Sequence, residues 1–128
     1  MIRGSTLKGT PARHYFSNIS GFATQKSEYP IVNIHEYQAK EILDKFGVPT
    51  PRAEVASTAA EAKEIASRIG GRVVVKAQVH AGGRGKVGGV KLVGSPEEAE
   101  QVAAGLLGTR LVTNQTGANG VPVEKVMI

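Results

Sequence analysis

Residues 73–93 read VVVKAQVHAGGRGKVGGVKLV. A β-branched run carries one lysine, Lys76, and opens into a loop with Gly82, Gly83, Gly85, Gly88 and Gly89. A second β-forming run, residues 90–93, follows. Glycines let backbone approach a ligand closely, and cations beside exposed N–H groups attract phosphate. Arg84 and Lys86 supply such cations. The stretch predicts two strands joined by a glycine-rich connection that closes over a nucleotide phosphate.

Gly83 to Gly88 matches G-x-G-x-x-G, but a dinucleotide fingerprint needs a helix after it. Here β-formers follow with no cap before them, so the context excludes that reading. A P-loop is excluded because no Gly-Lys-Ser or Gly-Lys-Thr exists in the chain.

Strand alternation places Val73, Val75, Ala77 and Val79 on one face and Val74, Lys76, Gln78 and His80 on the other. A lysine flanked by apolar residues in a central strand is costly to bury unless an anion pairs with it. A nucleotide phosphate is one such partner; a structural carboxylate or solvent is the alternative. The Arg84 guanidinium suits bidentate phosphate binding. For Arg84 and Lys86 the alternative to phosphate contact is that they merely keep an exposed loop solvated. His80 either bonds a phosphate or holds loop backbone in place. Glu36, Glu41 and Asp44 read as a solvated helix face.

Working outward, residues 33–47 predict a helix. Asn33 caps it, Glu36 stands at N3 and Gly47 stops it. Ile34, Tyr37, Ile42, Leu43 and Phe46 mark its apolar side. Pro49 and Pro51 force extended backbone, and a short strand is expected over residues 52–56. Thr58 and Glu61 form a capping box for a second helix, with Ala62, Ile65, Ala66 and Ile69 facing inward. Ser95, Pro96 and Glu98 open a third, lined by Ala99, Val102, Ala103, Leu106 and Leu107. Strands are expected over residues 110–113 and 123–128, with Asn119-Gly120 marking a turn between them. Helices alternating with strands give an α/β fold with a mixed sheet and about three helices.

The 128 residues suit about one domain. There is no cysteine, so neither disulfides nor a cysteine–zinc site arises. His14, His35 and His80 lack i, i+4 spacing, and no metal site is expected from this segment. No apolar run reaches the roughly 18 residues of a membrane helix, so no membrane partner is expected. The net charge of +5 is carried mostly by residues 1–27, where Arg3, Lys8, Arg13 and Lys26 stand without an acid. The remainder is nearly neutral and poor in aromatics, which argues against nucleic acid. The basic, Ser/Thr-bearing residues 1–32 have the composition of a mitochondrial transit peptide, or of a disordered leader. They are set apart from the fold, and the expected location is the mitochondrial matrix.

From Asn33 onward the chain resembles the beginning of the succinate–CoA ligase β-subunit family. Three segments carry the resemblance in order: NIHEYQAKEILDKFGVPTP, VVVKAQVHAGGRGKVGGVKLV and LLGTRLVTNQTGANGVPV. The resemblance implies the N-terminal portion of an ATP-grasp domain over residues 33–128. It implies a reversible reaction of succinate, CoA and nucleoside triphosphate giving succinyl-CoA, nucleoside diphosphate and phosphate, as in the tricarboxylic acid cycle. Lys76 then corresponds to a lysine on the nucleotide phosphates, and Gly83, Arg84 and Gly85 to the nucleotide-contacting loop. ATP or GTP with Mg2+ is the implied ligand, with the metal ligands outside this chain. The implied partner is an α subunit, which carries the family's phosphohistidine, so His80 is not given that role. No catalytic residue is assigned to this chain. VEKVMI at the C-terminus leads us to expect a truncated lobe, inactive alone. A malate–CoA ligase β subunit and a non-catalytic nucleotide-binding or subunit-interaction module are the competing readings.

Overall fold

The computed structural model describes residues 33–128. The leader assigned to residues 1–32 lies outside the described residues. The elements run α1 (Glu36–Lys45), β1 (Val55–Ala56), α2 (Ala59–Ile69), β2 (Val73–Ala77), β3 (Val90–Val93), α3 (Pro96–Leu106), β4 (Arg110–Leu111), β5 (Val121–Pro122) and β6 (Val126–Met127). One 3₁₀ turn, Arg84–Val87, lies between β2 and β3.

Sequence logic explains α2 and α3 directly. Thr58 Oγ1 accepts from the Glu61 amide, while Glu61 Oε2 accepts from the Ser57 and Thr58 amides. Ser95 Oγ accepts from the Glu98 amide, Pro96 stands at N1, and Glu98 Oε2 accepts from the Gly94 amide. These bonds satisfy orphan donors of the first helical turns. Small residues on the facing sides, Ala62 and Ala66 with Ala99 and Ala103, let the two helices pack closely.

Both helices cover one face of a four-stranded sheet of order β1-β6-β2-β3. The buried face of β2 is Val73, Val75 and Ala77, as alternation predicts. Each core valine, such as the fully buried Val75, contributes about 1.5–3 kcal/mol relative to exposure. The same pleat turns Lys76 to the face away from the helices.

The sheet departs from the expected mixed sheet: all its pairings are antiparallel. The β2–β3 pair is a hairpin through the glycine loop, in register from Val73↔Val93 to Lys76↔Val90. The α2 crossover does join strands of like direction, β1 and β2. The last strand, β6, inserts between them and runs against both. Alternation of helix and strand thus reported the crossover correctly but not the strand interposed in it.

Two further expectations are corrected. The final strand, expected over 123–128, is shorter, and a separate strand precedes it. Val121–Pro122 pairs with β4, the Val123 amide donates to Thr109 O, and only Val126–Met127 joins the main sheet. Proline lacks an amide donor, and the chain changes sheets just after Pro122. The first helix starts later than expected: His35, not Asn33, is its N-cap, and Glu36 is its first residue. Gln38 Oε1 accepts from the His35 amide at 2.8 Å. Its apolar side is also not buried by residues 33–128, for Ile42 and Leu43 are exposed and Phe46 is 81% exposed.

Candidate functional site

The starting point is the connection that the glycines permit. Gly83 and Gly88 bracket the 3₁₀ turn with φ of +78° and +79°, in the left-handed region that L side chains avoid. Between them the backbone turns tightly enough to return β3 beside β2. The Gly89 amide donates to Arg84 O at 2.8 Å, and Gly89 O accepts from the Ala77 amide at 2.8 Å. A second segment steadies the front of the loop. Gln115 Oε1 accepts from the Gly82 amide, and Asn114 Oδ1 lies 2.8 Å from where a Cβ on Gly83 would stand.

This turn brings Arg84 back over the end of β2. Its Nη1 donates to Ala77 O at 2.6 Å, and its Nη2 donates to Glu36 Oε2 at 2.7 Å. Lys76 Nζ donates to the other carboxylate oxygen, Glu36 Oε1, at 3.1 Å. One carboxylate therefore bridges the two cations. All three side chains are partly buried, with 31% of Lys76, 21% of Arg84 and 28% of Glu36 exposed. Burial pushes the Glu36 carboxyl up, but hydrogen bonds from Arg84 and Lys76 outweigh it and hold the group below its ordinary value.

Of the residues singled out from sequence, Lys76 and Arg84 are brought together, and Gly83 and Gly85 flank Arg84 on the exposed turn. Gly85 has open space where a side chain would stand. Lys86 is exposed and is not drawn into the cluster. His80 packs its ring against His35, with centroids 3.7 Å apart, and His35 stacks in turn on Tyr37. Burial, then the nearby charges of His80, Lys125 and Arg84, lower the His35 pKa.

Glu36 is the residue that sequence reasoning missed, having been grouped with Glu41 and Asp44 as a solvated face. Those two are exposed, whereas Glu36 faces the sheet. Glu36 stands at the first position of α1, beside Lys76 and Arg84, whereas Glu41 and Asp44 lie more than one turn further along the helix. Gln115 and Asn114 carried no local signal at all.

A cleft of about 330 Å³ opens beside the cluster, lined by Glu36, His80, Gly82, Arg84 and Gln115 among others. A larger groove of about 630 Å³ runs between α1 and residues 50–55. The smaller one is the better candidate for an anion, because the Arg84 guanidinium and the start of the glycine loop at Gly82 line it. Among the described residues no three His, Cys, Asp or Glu side chains are grouped to hold a metal ion.

Residues 33–128 match the family model of the ATP-grasp domain. Among curated proteins the chain is similar to the succinate–CoA ligase [ADP-forming] β subunits of Nitratiruptor sp. and Nautilia profundicola. Identity is 61% and 60% over 98 residues, covering 76% of this chain and 25% of each relative. The counterpart from Geobacter sulfurreducens is 53% identical over 97 residues, with the same coverage. The chain thus spans about a quarter of the length of the curated relatives it matches.

Proposed function

Because the chain belongs to the ATP-grasp domain family, we propose that residues 33–128 are the nucleotide-binding N-terminal part of a succinate–CoA ligase β subunit. The observation that carries this reading is the convergence of Lys76 and Arg84 beside an open glycine turn. A phosphate group needs charge-assisted donors and close backbone approach, and this place supplies both. Lys76 and Arg84 contact the phosphates of the nucleotide, and Gly83 and Gly85 let them approach. The relatives' names specify the ADP-forming reaction, which favours adenine nucleotide over guanine.

Under this reading the whole enzyme joins succinate to CoA at the expense of ATP, with an α subunit as partner and Mg2+ accompanying the nucleotide. The basic, acid-free residues 1–27 support import into the mitochondrial matrix. The test is the full-length gene product co-purified with its α subunit and assayed for CoA-ester formation. Turnover with succinate and ATP is expected. Turnover with malate instead would move the reading to the malate enzyme, and none with either would leave a binding module. A fluorescent reporter fused behind residues 1–32 is expected in mitochondria, and a cytosolic signal would overturn that location.

A further inference from the structure

We infer that Glu36 is a positioning residue for the nucleotide phosphates, holding Lys76 and Arg84 at fixed separation and staying in place when the nucleotide binds. This deepens the nucleotide-binding reading and rests on it.

Three observations separate this role from that of a bystander or of a carboxylate that phosphate displaces. The first is mechanical. Glu36 begins α1, and that first turn is tied down on both sides: Gln38 Oε1 accepts from the His35 amide, and Gln78 Oε1 accepts from the Tyr37 amide at 3.4 Å. Gln78 is itself only 3% exposed and donates to Lys76 O, so the same side chain links the helix start to the lysine strand. These ties fix the backbone from which Glu36 projects, and the carboxylate itself is held at both oxygens by Lys76 and Arg84.

The second is donor arithmetic. A lysine ammonium has three donors and a guanidinium five. Glu36 and Ala77 O engage only one from Lys76 and two from Arg84 among the described residues. Donors remain on both cations for a phosphate while the carboxylate keeps its own. The third is charge. One carboxylate against two cations leaves a net positive site, enough to attract an anion, while lowering the repulsion that would otherwise splay Lys76 and Arg84 apart.

The experiment compares wild-type and Glu36→Gln enzyme, full length with the α subunit. Calorimetry with Mg-ADP and steady-state kinetics are read together. Glu36→Gln keeps the shape and removes the charge. Its Kd for Mg-ADP is expected to rise about tenfold or more, as for loss of a charge-assisted contact. The nucleotide KM rises with it, while KM for CoA and for succinate stays within about twofold of wild type, a split that general loosening of the fold would not give. Glu36→Asp, which retains the charge, recovers part of the loss. Unchanged or tighter Mg-ADP binding by Glu36→Gln overturns the inference while leaving the nucleotide site intact. Failure of wild-type enzyme to bind Mg-ADP overturns the nucleotide reading and this inference together. If Glu36→Gln does not fold, a crystal structure of the wild-type Mg-ADP complex decides. Glu36 bridging both cations with phosphate bound supports the role, and a displaced carboxylate overturns it.

Discussion

The Gly82 amide donates to Oε1 of Gln115 at 2.6 Å, tying the glycine loop to the turn that follows β4, 33 residues further along the chain. The turn is itself braced. Thr116 Oγ1 accepts from the Thr113 amide, and Thr113 Oγ1 accepts from the Gln115 amide. The glycine loop is thus held from outside its own hairpin. Gln115→Ala removes that tie from an exposed position, so its cost to stability is expected to stay near 1 kcal/mol. Its cost in order is larger: hydrogen exchange of the Gly82 and Gly83 amides should accelerate, while that of Val75 stays slow. Equal exchange in both proteins would show that the bond does not restrain the loop.

Lys76→Met tests the phosphate assignment. The Arg84–Glu36 bond, 2.7 Å in the wild-type chain, does not involve Lys76, so the carboxylate is expected to keep a partner in this variant. A partly exposed ion pair of this kind is worth about 1 kcal/mol or less, and thermal stability should change little. Loss of a charged contact to phosphate, by contrast, weakens nucleotide binding about tenfold or more in the full-length enzyme. Unfolding of the variant, with no intermediate loss of affinity, would make the lysine structural.

The glycine turn offers a pair of substitutions that separate folding from binding. Gly83 has φ +78°, where any Cβ costs about 1–2 kcal/mol, and Asn114 must also move aside. Gly83→Ala should therefore lower the denaturation midpoint. Gly85 lacks a positive φ and faces open space, so Gly85→Ala should change stability by less than about 0.5 kcal/mol. Its added methyl stands where a phosphate would approach, and nucleotide affinity should fall. Wild-type affinity in Gly85→Ala would remove that glycine from the binding surface.

How much of this was legible in the sequence depends on the range of each interaction. The caps Thr58 and Ser95, the alternation in β2 and the turn at Gly120 are local rules, and each stands in the structure where the residues placed it. The strand face of Lys76 was legible for the same reason. Its partner was not, because Glu36 lies 40 residues away and its capture depends on where α1 begins. The helix starts two residues later than expected, and Glu36 at its first position meets Lys76 and Arg84 and not solvent. The antiparallel sheet was hidden for a related reason: periodicity defines strands and crossovers, and no local rule says that β6 will insert between β1 and β2. The apolar side of α1 shows the limit of periodicity again. Ile42, Leu43 and Phe46 do form a stripe, but a stripe does not say what covers it.

Acid is expected to weaken the fold through His35. His35 is stacked 3.7 Å from His80, and its Nδ1 is buried without a hydrogen-bond partner among the described residues. Burial first, then the neighbouring positive charges, lower its pKa below the ordinary 6.5. The sign follows from proton counting. In the window just below 6.5 the unfolded chain binds more protons at this residue than the folded one, so stability rises with pH there. The contribution is fully present above about pH 6.5 and is lost as pH falls through the lower folded pKa. Urea denaturation at about pH 7.5 and about pH 5.5 should therefore give a lower midpoint at the acid value. His35→Phe keeps an aromatic ring to stack on His80 and Tyr37 but has nothing to titrate, so its midpoint should fall less over the same interval. An equal fall in both proteins would place the acid sensitivity elsewhere, and a rise for wild type would contradict the sign.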